Sequence, residues 1–546
     1  MSNANLFEQI LSSRGLSGQA KDDFLTPTYA DRHDPFLLPD MEKAVERLAV
    51  ARQRQEKITI YGDYDIDGLT ATTVLLDAFE SFGFTDVDAF IPNRFVEGYG
   101  LTTDAIEKII AAGAELIVTV DCGSLSEKEI ILAKEKGVDV IVTDHHNVAP
   151  VQPPAVAVVN PKRIDHTYPF IDLAGVGVAF KLVQALQTRL PGLDEGQEKW
   201  LLDLVALGTV CDVVTLVGEN RTNVFWGLKV LSKTRRPGLK ALMAVAKIEP
   251  EMVNARSLGF GLGPRMNASG RLETAEHALE MLRATDGLVA LEKAQQLDAL
   301  NVSRRTDQDR IFKSAIEQAK IYENDSVLVV SAPEWNHGII GIVAAKLLEK
   351  YKKPTYVLQE MGEESKGSAR SYGDFSAADA IRASDDIITK GGGHKLAAGV
   401  TMPTKNIPAF RTRVNEYYSS LKLFNQPALL LPKSDVTINN FSEVNELLLE
   451  KIAMLEPFGN GNPEPILKIE NCIVVHLRRM GSDGQHVKIE VQDEEEKRLQ
   501  MLAFNAPEAW FVEPGDTIGA WFVVTMNEWQ GKRDVEGRLL HLESRY

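Results

Sequence analysis

Apolar residues in the first half of the chain fall into short β-branched runs, and three of these runs end in acid. Ile58-Thr59-Ile60-Tyr61-Gly62 leads into Asp63-Tyr64-Asp65-Ile66-Asp67-Gly68. Residues 116–120 lead into Asp121-Cys122-Gly123, and residues 138–143 lead into Asp144-His145-His146. Each run is bounded by glycine or polar residues, which predicts a buried strand. Helical segments separate the runs, so the strands are expected to be parallel with crossover connections. A fourth strand, 155–159, stops at Asn160-Pro161, and 201–211 reads as an apolar helix with Asp212 at its far end.

The pattern changes twice further along. Residues 274–322 are highly charged with apolar positions at heptad-like spacing, which predicts a helix able to connect two domains. A second α/β unit follows, with strands at 326–331 and 353–358, a helix at 338–348, and a closing run Gly391-Gly392-Gly393-His394-Lys395-Leu396-Ala397-Ala398-Gly399. From about 430 the character is β: segments 466–475, 486–491, 500–504 and 517–526 are separated by turn signals such as Pro514-Gly515-Asp516, as expected for a small barrel. Together these predict a helical lead-in (1–45), a parallel-sheet α/β domain (46–273), a connecting helix (274–322), a smaller α/β domain (323–428) and a C-terminal β-barrel (429–546).

In a parallel sheet the carboxyl ends of the strands share one edge, where ligands bind. Asp63, Asp65, Asp67, Asp121, Asp144, His145 and His146 are predicted to converge there. So many anions need cations, and hard oxygen ligands with imidazole suit Mn²⁺ or Mg²⁺. Two such ions about 3.5–4 Å apart can activate a water and steady the leaving oxygen of a phosphoester. That task requires a carboxylate able to bridge both ions, for which Asp121 is the candidate. His145 completes one shell, Asp144 and His146 are the next candidates, and Asp212 is the candidate for the last oxygen. A calcium loop of the EF-hand kind is excluded, because its twelfth position would be Val74 and a strand precedes it. Cys122 and Cys211 read as small buried residues. Gly259-Phe260-Gly261-Leu262-Gly263 follows no strand and is not read as a dinucleotide loop.

Composition changes this picture little. At 546 residues the chain is too long for one core, and 44% hydrophobic with 25% charged residues is ordinary for a globular protein. Three cysteines cannot form a disulfide framework, which fits a reducing cytoplasm. No leader is evident in Met1-Ser2-Asn3-Ala4-Asn5, and no apolar stretch is long enough to span a membrane. A net charge of −17 makes nonspecific binding to duplex DNA unfavourable, but a metal cluster supplies its own local positive charge.

The three acidic motifs resemble the first signatures of the DHH phosphoesterases, and Gly391 to Gly399 is similar to the glycine-rich signature of the DHHA1 domain paired with them. Pro92-Asn93-Arg94, the segment Gly263-Pro264-Arg265-Met266-Asn267-Ala268-Ser269-Gly270-Arg271 and Trp335-Asn336-His337-Gly338-Ile339-Ile340-Gly341 narrow the resemblance to the branch that degrades single-stranded DNA from its 5′ end. It covers nearly the whole chain, including a C-terminal region where that branch carries an OB-fold. It implies a metal-dependent 5′→3′ exonuclease of DNA recombination and repair. Two Mn²⁺ or Mg²⁺ ions would be held by Asp65, Asp67, Asp121, His145 and Asp212, with Asp63 and His146 close by. Arg94, Ser368 and Arg370 fall where the family grips the terminal 5′-phosphate, with Ala369 standing where glycine is usual. His394 is implied to act on the scissile phosphate, and Arg265, Asn267 and Arg271 to contact the strand. Phe458, Phe504 and Trp521 are candidate base stackers. The implied partners are single-stranded DNA, a single-strand-binding protein and a helicase, with no membrane. The alternatives are a DHH phosphodiesterase of oligonucleotides or cyclic dinucleotides, and a non-catalytic DNA-binding relative.

Overall fold

Five short strands form the first sheet of the computed structural model, which describes residues 5–98, 100–423, 426–529 and 531–545. The leader reading at Met1 to Ala4 lies outside them. Among the described residues, no helix is long and apolar enough to cross a membrane. The chain divides into two compact units: residues 1–263, 282–285 and 432–546, and residues 264–281 and 286–431.

In the first unit, β1 (Ile58–Tyr61), β2 (Val87–Phe90), β3 (Leu116–Val120), β4 (Asp139–Thr143) and β5 (Ala157–Val159) lie in the order β2-β1-β3-β4-β5, all parallel. The three acid-ending strands are therefore the three central ones. Their residues are buried almost throughout, as expected of a parallel sheet covered on both faces. The helix Ile66–Phe82 packs on Gly175–Gln187 and Leu202–Cys211. On the other face, Ile106, Ile109, Ile130 and Ala133 join Ile117, Val140 and Val142 in one core.

The C-terminal barrel belongs to the same unit. Five strands close it: β12 (Leu467–Met480), β13 (His486–Gln492), β14 (Arg498–Ala503), β15 (Thr517–Trp529) and β16 (Lys532–Arg545), with β12 pairing both β13 and β15. A short β11 (Val436–Ile438) adds to β12. The lead-in is not a separate element. Leu6, Phe7, Ile10 and Leu11 of the first helix sit in the barrel core, and Arg14 pairs with Asp435 at 2.7 Å. Phe458 packs against that core, whereas Phe504 is 61% exposed and stands edge-on to His486. Trp521 lies beside Lys468 and His541.

The second unit carries a sheet in the order β6-β7-β8-β10-β9, from β6 (Leu328–Ala332), β7 (Thr355–Met361), β8 (Glu364–Arg370), β9 (Lys390–Gly393) and β10 (Ala397–Pro403). The glycine run is thus a hairpin rather than a loop, with β9 on the sheet edge. The predicted connecting helix is two helices, Glu276–Arg283 and Gly287–Ile321. Asp286 starts the second by accepting from the N–H groups of Leu288 and Val289, so a capping residue divides the charged stretch.

Candidate active site

Strand β1 ends at Tyr61 and the chain turns at once into the helix Ile66–Phe82. Asp65 is the N-cap of that helix, accepting from the Gly68 N–H at 3.1 Å. Gly68 is required for packing: a Cβ there would lie 2.6 Å from the Asp63 backbone. Asp67, on the first turn, is buried and accepts from the N–H groups of Gly175 (2.6 Å) and Val176 (2.9 Å). The positive end of the helix Gly175–Gln187 is therefore aimed at this carboxylate.

Asp121 follows β3 with φ of +62°, a backbone that a non-glycine residue rarely adopts. Its Oδ1 lies 3.1 Å from His145 Nε2 and 3.7 Å from His146 Nδ1. His145 Nε2 is also 3.6 Å from Asp212 Oδ2 and 3.8 Å from Asp67 Oδ2. Three groups of donor atoms each fall within 4.8 Å of one another: Asp63, Asp65 and Asp121; Asp67, His145 and Asp212; and Asp121, His145 and His146. The first two share no residue, and Asp121 connects the first to the third.

The charges in this nest oppose one another. Burial, then the other carboxylates, pushes Asp121 well above the usual carboxylate range, and burial with Asp65 does the same to Asp63. Burial and Asp65 raise Asp67 to about 7 despite its two N–H donors. Burial and Asp67 raise Asp212 to about 9. Burial and the neighbouring His146 lower His145 to about 3, so its ring is neutral and able to act as a ligand. Among the described residues, Asp63 Oδ1, Asp121 Oδ1 and His145 Nε2 are buried without a hydrogen-bond partner. Buried polar atoms are rarely left so, and a bound cation both satisfies them and reverses the charge repulsion. Hard oxygen donors with one imidazole fit Mn²⁺ or Mg²⁺.

Asp144 has a different task from the one its position suggests. It accepts from the N–H groups of Ser124, His145 and His146 and pairs with His146 Nδ1 at 2.9 Å. Burial would raise it, but these contacts hold it well below the usual carboxylate range. It orients the two histidines. Although burial lowers His146, the bond to Asp144 raises it on balance. Asn160 donates to the His146 carbonyl and to Ser124 Oγ, a support that sequence alone does not reveal. Cys122 is buried and Cys211 half-buried. The segment Leu258–Leu262 is a single π-helical turn, with no strand before it.

Arg94 lies on the loop after β2, its guanidinium 4.3 Å from the centre of the Tyr64 ring. The other expected substrate residues belong to the second unit. Ser368 and Arg370 share one face of β8, with Arg370 donating to Ser368 Oγ at 3.2 Å. Ala369 points into the core, so its methyl group lies on the opposite side of the strand. No carboxylate among the described residues pairs with Arg370, and burial lowers its pKa. A Cβ on Gly341, at the start of the helix Ile340–Tyr351, would lie 3.0 Å from Ser368 Oγ and 3.2 Å from the Arg370 guanidinium. Ser368 also lines a cavity of about 420 Å³ with His337, Lys366 and Lys390. His394 is exposed in the β9–β10 turn, its N–H donating to the Ala397 carbonyl. Arg265 pairs with Asp298 at 2.8 Å, and Arg271 donates to the Gly338 carbonyl, so both brace the helix Gly263–Leu272. Asn267 is half-buried on the same helix.

Known proteins match this architecture part by part. The DHH family N-terminal domain matches residues 57–209, the DHHA1 domain 324–420 and the RecJ OB domain 435–541. The single-stranded-DNA-specific exonuclease RecJ of Bacillus subtilis is 38% identical over 540 residues, covering 97% of this chain; the chain spans 66% of that relative's length. The RecJ of Escherichia coli is 34% identical, with 91% of this chain and 89% of that protein covered. Crystal structures of Thermus thermophilus RecJ superpose with TM-scores of 0.85 in complex with Mn²⁺ (29% identity) and 0.79 with Mg²⁺ (28%). They cover 99% of this chain and 76% and 74% of those chains. With three domains of the same kind and order matched and a third of its residues shared, this chain belongs to the RecJ family of DHH phosphoesterases.

Proposed function

We propose that this chain is a metal-dependent exonuclease that hydrolyses single-stranded DNA from its 5′ end. The observation that carries the reading is the pair of separate donor groups, Asp63/Asp65/Asp121 and Asp67/His145/Asp212, at one sheet edge. Both contain buried atoms that have no hydrogen-bond partner among the described residues. Asp65, Asp67, Asp121, His145 and Asp212 hold two divalent cations, Mn²⁺ or Mg²⁺, with Asp63 contributing to the first. Bound there, such cations supply charge neutralisation and activation of a water at the phosphodiester.

The protein's own groups do the rest. Asp121, a member of the first group whose Oδ1 lies 3.1 Å from His145 Nε2 of the second, is the carboxylate that would bridge. The N–H groups of Gly175 and Val176 fix Asp67 in its ionised orientation. Asp144 accepts from His146 Nδ1 and favours the imidazolium form, the form of the ring that can also donate from Nε2 to a phosphate oxygen. Arg94, steadied on Tyr64, and Ser368 with Arg370 are assigned to the terminal 5′-phosphate, for which the guanidinium fork is suited. His394, Arg265, Asn267 and Arg271 are assigned to the strand. The barrel holds the trailing DNA, with Phe504 and Trp521 as stackers. Recombination and repair are the setting, the cytoplasm is the compartment, and a single-strand-binding protein and a helicase are the partners that family membership implies.

Digestion of a 5′-phosphorylated single strand labelled at either end, with duplex as control, tests the reading. Mononucleotides released from the 5′ end of the single strand alone are expected. Release from the 3′ end, or equal attack on duplex, would exclude it.

A further inference from the structure

Asp212 reaches the metal nest from the end of the helix Leu202–Cys211, and the residue after it is strained. Val213 has φ of +64°. This is the position after a helix where glycine or asparagine is usual, and a β-branched residue there is a genuine outlier. The side chain offers nothing in return, since Val213 is 64% exposed. The turn must therefore be held through its backbone.

The holder comes from the far end of the chain. Asn460 donates from Nδ2 to the Val213 carbonyl at 2.8 Å, and its own carbonyl accepts from the Leu216 N–H at 2.7 Å. These two bonds bracket the loop that leaves Asp212. The clamp is itself built closely. A Cβ on Gly459 would lie 2.6 Å from Leu216 Cδ1, and one on Gly461, at φ of +74°, would lie 3.2 Å from Thr215 Cβ. Gly459 and Asn462 bond each other across the turn, and Arg14 donates to Asn462 Oδ1 at 3.0 Å.

We propose that Asn460, on the lead-in to the barrel, is a positioning residue that holds the strained Val213 turn and thereby sets the Asp212 carboxylate. The inference rests on Asp212 being a metal ligand, as assigned above. Without the Nδ2 bond the strain at Val213 is relieved by rotation of the turn, and Asp212 moves off its donor group. Glycine at 213 adopts the same backbone without strain, so it removes the need for the clamp.

The test uses the full chain with Asn460→Ala, Val213→Gly, the double variant and Asp212→Asn, measuring Mn²⁺ affinity by calorimetry without DNA and exonuclease rate against Mn²⁺ concentration. Asn460→Ala is expected to raise the half-saturating Mn²⁺ about tenfold, the scale of one lost bond and one left-handed residue, with the rate at saturating Mn²⁺ largely kept. Adding Val213→Gly is expected to restore half-saturation to within about twofold, which loss of general barrel docking would not allow. Asn460→Ser, too short to span the bond, serves as the second variant should Asn460→Ala fold poorly. An unchanged half-saturation in the Asn460 variants, or a defect that Val213→Gly leaves in place, overturns the inference. If Asp212→Asn also binds and cleaves normally, it is the metal assignment that fails.

Discussion

Gly175→Ala probes the nest without replacing any proposed ligand. The added Cβ would stand 2.7 Å from Asp121 Oδ1, 2.8 Å from its Cβ and 2.9 Å from its Cγ. Ordinary contact begins near 3.4 Å, so the carboxylate must retreat by about 0.7 Å. Neither partner can yield easily. The Asp121 N–H is bonded to the Thr143 carbonyl at 3.0 Å, and the Gly175 N–H is bonded to Asp67. Metal–ligand distances tolerate only about 0.2 Å, and displacement of a catalytic group by ~1 Å can cost ~100-fold in rate. A loss of about 10- to 100-fold in cleavage, with weakened Mn²⁺ binding by calorimetry, is expected. The fold should lose no more than ~1–3 kcal/mol, the usual cost of one extra methyl group in a packed site. Gly177→Ala, one half-turn on, whose nearest neighbour would be the Leu173 side chain at 3.3 Å, is the control. If both variants bind Mn²⁺ alike and cleave alike, Asp121 does not bridge.

Three further outcomes follow from the same geometry. Asp121→Asn should abolish cleavage and Mn²⁺-dependent stabilisation while the chain stays folded, because it removes a repelled buried charge; normal turnover would refute the bridging role. Asp67 at about 7 and Asp212 at about 9 stand above the unfolded carboxylate value of about 4, so the metal-free native chain binds more protons than the unfolded one across that window. Its thermal midpoint should therefore fall as pH rises from about 5 to 9, and saturating Mn²⁺ should cancel the fall; a midpoint that rises with pH without metal would contradict the charge balance. Arg370→Ala should cut the preference for a 5′-phosphate over a 5′-hydroxyl by about 10- to 100-fold, as for one charge-assisted bond, and an unchanged ratio would move end recognition elsewhere.

What the sequence disclosed depended on how local each signal was. β1, β3 and β4 were legible because β-branched runs between glycine and acid have few other uses. β2 was not: Val87-Asp88-Ala89-Phe90 is a half-buried edge strand whose Asp88 accepts from Thr59 Oγ1. β16, paired on both sides, was missed because its charged ends mask the alternation. Asp63, Asp65, Asp67, Asp121 and His145 are marked by position after strands and Asp212 by its place at a helix end, yet Asp144 shares the first position and spends its oxygens on backbone N–H groups. Nothing marked Gly175 or Asn460, because their effect comes from contact with Asp121 and Val213 across long stretches of chain. The lead-in helix was misplaced likewise, since the Leu6 N–H donates to Glu443, 437 residues away.

The most direct test of the metal nest is anomalous scattering at the manganese edge from a crystal of this protein grown with Mn²⁺. Two peaks roughly 3.5–4 Å apart are expected, one among Asp63, Asp65 and Asp121 and the other among Asp67, His145 and Asp212. Density absent from both groups, or manganese bound elsewhere with these carboxylates turned away, would contradict the account.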